Sequence, residues 1–135
     1  MALLNFSISE LCASNIAKRD HINNTPPLYA CDNLLHLIYY VLQPLRDKLG
    51  KPIYINSGYR CVALNSHKEI KGAQNSQHLI GQAADIRVDG MTPAELVKFI
   101  KDSGIVYDQL INEYDKWVHV SYRHRLNRKK YFKIT

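Results

Sequence analysis

His78, Asp85 and His119 are the side chains in this sequence best suited to chemistry. The first two stand seven positions apart in SQHLIGQAADIRV, Ser76 to Val88. The third sits inside an alternating run, WVHVSY, Trp117 to Tyr122. Two neutral imidazoles and one carboxylate are a donor set that suits a zinc ion with one position left open. Strand phase offers a way to bring them together. If Ile86, Val88, Val118 and Val120 face a core, Asp85 and His119 project from the opposite face and can meet across neighbouring strands. Gly81 permits a tight turn that carries His78 over the same face. Ala83 and Ala84 leave that approach uncrowded. Spacing by itself leaves a second reading open, in which a hydrogen-bonded histidine lies beside a strand-edge aspartate and no metal is bound. The helical pattern of two histidines four apart is absent.

The elements that must position these groups follow from caps and periodicity. Ser7-Ile-Ser-Glu10 fits a capping box, which predicts a short helix to about Arg19. The NNTPP segment, Asn23 to Pro27, is a turn, and Pro27 can open a longer helix. Leu34, Leu35, Ile38, Val41, Leu42, Leu45 and Leu49 recur at helical spacing along it. Pro44 must kink or divide this rod, and Gly50 suits its end. A strand is expected over Ile53–Asn56 and another over Asp85–Asp89. Thr92-Pro93-Ala94-Glu95 forms a second capping box, opening a helix that Gly104 ends. The runs YDQLINEY and WVHVSY predict a hairpin. The order implies an α+β fold, with a small, mainly antiparallel sheet packed against helices.

The 135 residues suit a single domain, 1–135, with a real core. Hydrophobic residues make up 46% and charged residues 22%, ordinary for a globular chain. No apolar run approaches a membrane span. The N-terminus does not read as a signal peptide, so a cytoplasmic protein is expected, or one held in the cytoplasm until released to a cell wall. Cys12, Cys31 and Cys61 have no zinc-ribbon spacing and are expected as reduced, mostly buried thiols. The net charge of +6 favours polyanions. Much of it lies in the tail Arg123 to Lys133, read as a solvated basic end or as a patch for an anionic partner. A nucleic-acid binder rests on charge alone, since no recognition motif accompanies it.

The motifs SGYRCVALN, SQHLIGQAADI and WVHVSY, in this order, resemble those of the D-Ala-D-Ala carboxypeptidase and L-alanyl-D-glutamate endopeptidase family. The family pattern S-x-H-x-x-G-x-A-x-D, with a later histidine after an aromatic residue, is matched at Ser76, His78, Gly81, Ala83, Asp85 and His119. FSISELCASNIAKRDHINNTPP, NLLHLIYYVLQPLRDKLGKPIYINSGYR and DQLINEYDKWVHVSY extend the likeness, to the phage- and Bacteroides-type branch, over nearly the whole chain. The resemblance implies a hedgehog/D,D-peptidase-like fold and one zinc ion on His78, Asp85 and His119. It implies a monomeric zinc peptidase acting on peptidoglycan stem peptides, at D-Ala-D-Ala or L-Ala-D-Glu bonds, of the kind found in phage or prophage lysins. Nucleic acid is not an expected partner. Arg60 is implied to bind substrate or stabilise the developing oxyanion.

One departure matters. Many relatives carry Glu or Asp three residues before the last histidine, where this chain has Lys116. Glu113 and Asp115 remain as candidate bases, and the branch favours Glu113. Hairpin register separates them. A two-residue loop at Asp115-Lys116 turns Glu113 away from His119; a three-residue loop, or an equivalent bulge, puts Glu113 on the His119 face. The second register is expected. Ser76 and Gln77 either bind substrate or only shape the turn, and Trp117 reads as a packing or pocket-wall residue. His21, His36, His67 and His124 read as structural or exposed. Contact of Asn127 or Arg128 with substrate is left open. The alternative to an enzyme is a catalytically inactive, zinc-containing cell-wall-binding module of the same fold.

Overall fold

A computed structural model describes residues 4–135. Ser7 and Ser14 accept from the N–H groups of Glu10 and Ala17, at 3.1 Å each, and so open α1 (Ile8–Cys12) and α2 (Asn15–Arg19). The sequence predicts one helix here. Two form, because Ala13 turns extended at ψ 138° and Ser14 caps afresh.

The long apolar rod is also divided. It runs as α3 (Leu28–Leu37), a π-helical turn over Ile38–Leu42, and α4 (Gln43–Leu49). Pro44 has no N–H to give the carbonyl four residues back, and the chain widens just before it, with Gln43 N–H donating to Ile38. The rod ends at Gly50 in the left-handed region, φ 69°. Leu34, Leu37, Ile38, Val41, Leu42 and Leu45 are buried, whereas Leu35 is exposed, so the stripe passes through Leu37 instead.

Strands β1 (Tyr54–Ser57), β2 (Ala83–Arg87), β3 (Gln109–Glu113), β4 (Trp117–Ser121) and β5 (Lys130–Ile134) form one sheet in the order β1-β2-β4-β3-β5. Only the β3–β5 pair is parallel, so the fold is α+β with a mostly antiparallel sheet, as expected. Strand β5 was not anticipated. It comes from the basic tail read as a solvated end or as a patch for an anionic partner, and its backbone docks on β3 while most of its side chains stay exposed. Two short helical turns lie between β1 and β2: α5 (Val62–Asn65) and a 3₁₀ turn, Gln77–Ile80. Helix α6 (Pro93–Asp102) carries the predicted reciprocal capping box of Thr92 and Glu95.

The helices cover one face of the sheet. Leu37, Ile38, Leu42 and Leu45 share a core with Ile86, Leu110, Val118, Val120, Leu96 and Ile100. The other face carries Asp85, Ile111, Glu113 and His119 into a cleft. No helix among the described residues is long and apolar enough to cross a membrane. The three cysteines are unpaired and half-buried rather than buried, and burial, with Cys31 nearby, pushes the Cys12 thiol up to about 11.

Gly81 joins the 3₁₀ turn to β2 at φ +78°, and a Cβ there would stand 2.5 Å from the Ala30 carbonyl oxygen. Gly81→Ala therefore combines backbone strain with a clash against a fixed helix. The expected loss of stability is about 2 kcal/mol or more, read as a lower denaturant midpoint at unchanged m-value.

Candidate metal centre

The register of β2 on β4 sets Asp85 directly opposite His119. His78 reaches them from the 3₁₀ turn. The Ser76 hydroxyl accepts from His78 N–H at 3.1 Å and starts that turn, and Gly81 ends it. The His78 ring is held from behind, its Nδ1 lying 2.6 Å from the Gly58 carbonyl oxygen. A ring that donates Nδ1–H to a carbonyl presents the Nε2 lone pair on its other side, which here faces Asp85.

The loop that supplies Gly58 is itself fixed. Tyr59 N–H donates to Leu11 O at 2.7 Å and Arg60 N–H to His78 O at 3.0 Å. The Asn24 side chain donates to Cys12 O and Tyr59 O and accepts from Cys61 N–H. Sequence reading placed Asn24 in a turn and missed this stapling role; no local pattern signals it, because all three partners are remote in the chain.

His78 Nε2 lies 3.2 Å and His119 Nδ1 3.1 Å from Asp85 Oδ1, and the three donor atoms all lie within 4.8 Å of one another. A tetrahedral zinc with bonds of about 2.0–2.1 Å needs donors about 3.3 Å apart. The two measured edges fit that requirement, and the donor chemistry is of the right kind. All three residues are buried. Burial alone would raise the Asp85 carboxyl; His78 and His119 beside it override this and hold it well below the usual carboxylate range.

Glu113 joins the group from β3. Tyr114 and Asp115 both take positive φ, 60° and 56°, and Lys116 N–H donates to Glu113 O, which closes a tight turn. Lys116 then adds one residue before pairing resumes, so Glu113 faces Trp117 and Ile111 faces His119. This is the bulge-equivalent register predicted from the sequence. Glu113 Oε2 accepts from Trp117 Nε1 at 2.9 Å, and Oε1 lies 3.7 Å from His119 Nδ1. Trp117 thus orients a carboxylate as well as lining the wall. Asp115 is exposed and bound to Asn112 and Lys133, outside the cleft. Lys116 lies beside Val88, Met91 and Pro93, also away from it.

The cleft has a volume of about 630 Å³ and includes Arg60, Ser76, Gln77 and Arg128 in its walls. Burial lowers the Arg60 guanidinium from its usual range, with Asp85 and Glu113 opposing the shift, and its Nε has no hydrogen-bond partner. Gln77 also lines the cleft, while the Ser76 hydroxyl is occupied with the turn. Sequence reading did not find Gln109 and Ile111, which floor the cleft, or Asp108, which holds Arg128; a polar residue beside a strand gives no sign of a distant cation. The remaining histidines stand elsewhere. His36 stacks on His124 at 4.6 Å, and His67 pairs with Asp20 in an exposed network closed by Arg19 and Glu69.

Comparison with known proteins agrees with this architecture. The sequence profile of the peptidase M15 family matches residues 4–121. Over 46 residues, 33% of the chain, the sequence is 48% identical to the zinc D-Ala-D-Ala carboxypeptidase of Streptomyces albus G. The matched stretch is 17% of that enzyme's length.

The trio is expected to bind one zinc ion per chain. Zinc at a hundredfold excess over Kd should stabilise the protein by about 2.7 kcal/mol, seen as a higher Tm. His78→Ala should abolish both the bound metal and the shift. Undiminished zinc content in His78→Ala would refute the ligand assignment.

Proposed function

We propose, from the premise that this chain belongs to the peptidase M15 family, that it hydrolyses peptide bonds of peptidoglycan stem peptides with the help of zinc. The D-Ala-D-Ala and L-Ala-D-Glu bonds are the candidates. The observation that carries the reading is the buried His78–Asp85–His119 trio with the Glu113 carboxylate at its edge.

His78, Asp85 and His119 would hold the ion through Nε2, Oδ1 and Nδ1. Zinc bound there would supply Lewis acidity and lower the pKa of water toward about 7. Two neutral imidazoles and one carboxylate leave a net charge of about +1 at such a site, which favours a polarised carbonyl.

Glu113 is the general base in this reading. One of its oxygens is engaged by Trp117 and the other points at the trio, so the carboxylate is oriented before substrate arrives. It takes the proton from the attacking water and returns it to the leaving amine. Arg60 donates to the carbonyl oxygen as negative charge develops. A guanidinium that stays charged, is half-buried and has an unpartnered Nε is suited to that task. The basic charge of the chain suits attraction to an anionic wall.

The second reading, a zinc-containing wall-binding module without catalysis, draws support from Lys116. It stands where many relatives carry a carboxylate and faces away from the cleft.

Digestion of purified peptidoglycan by the zinc-loaded protein, read by mass spectrometry, separates the two. Hydrolysis is expected. Glu113→Gln should keep its zinc and lose activity by about 10²–10⁴-fold, and Asp115→Asn should stay within a few fold of wild type. Zinc-replete protein that leaves peptidoglycan intact supports the binding module. Activity that survives Glu113→Gln and vanishes in Asp115→Asn reverses the choice of base.

A further inference from the structure

We infer that Arg128 is a substrate-specificity residue, which reads a carboxylate on the bound peptide away from the scissile bond. The inference rests on the peptidase reading above.

Arg128 reaches the cleft from the segment before β5. It is held by an aspartate with no exposed surface. Asp108 accepts from Arg128 Nε at 3.1 Å, from Nη2 at 2.7 Å and from its backbone N–H at 2.8 Å. Burial would raise the Asp108 carboxyl, but the hydrogen bonds from Arg128 keep it below the usual range, so the pair stays ionic. The grip uses one edge of the guanidinium. Nη1 makes no protein hydrogen bond among the described residues, and the side chain remains 40% exposed. A planar cation fixed on one edge and open on the other is preorganised to take a carboxylate. Lys71, also in the cleft wall, is exposed and lacks such support.

Gln77 supplies a second observation at the same cleft. Its Oε1 is buried without a partner, while its Nε2 donates to Gln82. A buried, unused acceptor loses free energy until something donates to it. A peptide N–H alongside the bound carboxylate would satisfy it.

The position separates this contact from the reacting bond. Ile111 pairs with His119, and Asp108, which holds Arg128, lies three residues before Ile111 in the chain. Arg128 is therefore anchored away from the position opposite His119, toward the end of the cleft where β3 begins. On a stem peptide the carboxylate has two sources. If D-Ala-D-Ala is cut, the source is the upstream glutamate, on the third residue before the bond; if the bond before glutamate is cut, it is the C-terminal carboxylate, on the fourth residue after it.

The test uses the zinc-loaded full chain and three synthetic peptides, L-Ala-D-Glu-L-Lys-D-Ala-D-Ala as the free acid, with the glutamate carboxyl amidated, and with the C-terminus amidated. Binding by calorimetry and kcat/KM are both measured. One of the two amidations should weaken binding and kcat/KM about tenfold or more, chiefly through KM, and identifies the source. In Arg128→Gln the free acid should fall to the level of that amide, and Arg128→Lys should recover part of the difference. The paired variant Asp108→Asn/Arg128→Gln, which leaves no buried charge unpaired, should behave as Arg128→Gln does. Wild type that treats all three peptides alike overturns the inference even if it cleaves them well, as does a penalty that persists in Arg128→Gln. Carboxylate-dependent binding without cleavage supports Arg128 and defeats the hydrolytic reading. Failure to bind or cleave any of them overturns both.

Discussion

The pairing of Asp85 with His119 across β2 and β4 governs where every other group in the cleft can stand. Side chains alternate along a strand, so a slip of one residue by either strand would turn its donor, Asp85 or His119, into the core and its apolar neighbour, Ile86 or Val118, out of it. Burial of Ile86, Val118, Val120 and Leu110 against the helices makes that slip costly, and the same burial holds the donors on the open face. An isolated carboxylate as buried as Asp85 would lose several kcal/mol of hydration. Two imidazoles within 3.2 Å offset that loss, and a bound cation would offset it further. Hydrophobic packing and metal chemistry therefore depend on one register.

The second constraint is the support behind each donor. His78 sits on a single 3₁₀ turn, which is a poor anchor by itself. Gly58 holds its ring, Arg60 N–H holds its carbonyl, and Asn24 holds the loop that carries both. A Cβ at Gly58 would fall 2.1 Å from Leu11 O, so the loop must pass at glycine distance from α1. The helices at the N-terminus, far from the chemistry in sequence, are thereby coupled to the orientation of a candidate ligand.

The turn between β3 and β4 shows how one residue of spacing changes chemistry. Tyr114 and Asp115 close the turn with positive φ, and Lys116 occupies the extra position. Without that insertion Glu113 would face the core side of the sheet. With it, a carboxylate arrives beside His119 and is gripped by Trp117, while Lys116 is turned away from the cleft. The orientation of Lys116 and the placement of Glu113 are two aspects of the same loop.

The sequence alone carried the fold class, the capping box of Thr92 and Glu95, the serine cap at Ser7, most of the core stripe and the candidate donors. These are local or periodic signals: Thr92 and Glu95 are three apart, Val118 and Val120 alternate, and Leu34 to Leu45 recur at helical spacing. The hairpin register that puts Glu113 on the His119 face was also legible as one of two that the turn allows, because register follows from loop length. Only the tertiary structure decided that the basic tail becomes β5, that Asn24 staples the loop of Gly58, and that Asp108 aims Arg128 into the cleft. Each of these joins residues well apart in the chain through a hydrogen bond or an ion pair. Such a bond leaves no period and no neighbouring motif in the sequence, and is settled only when packing brings the partners together.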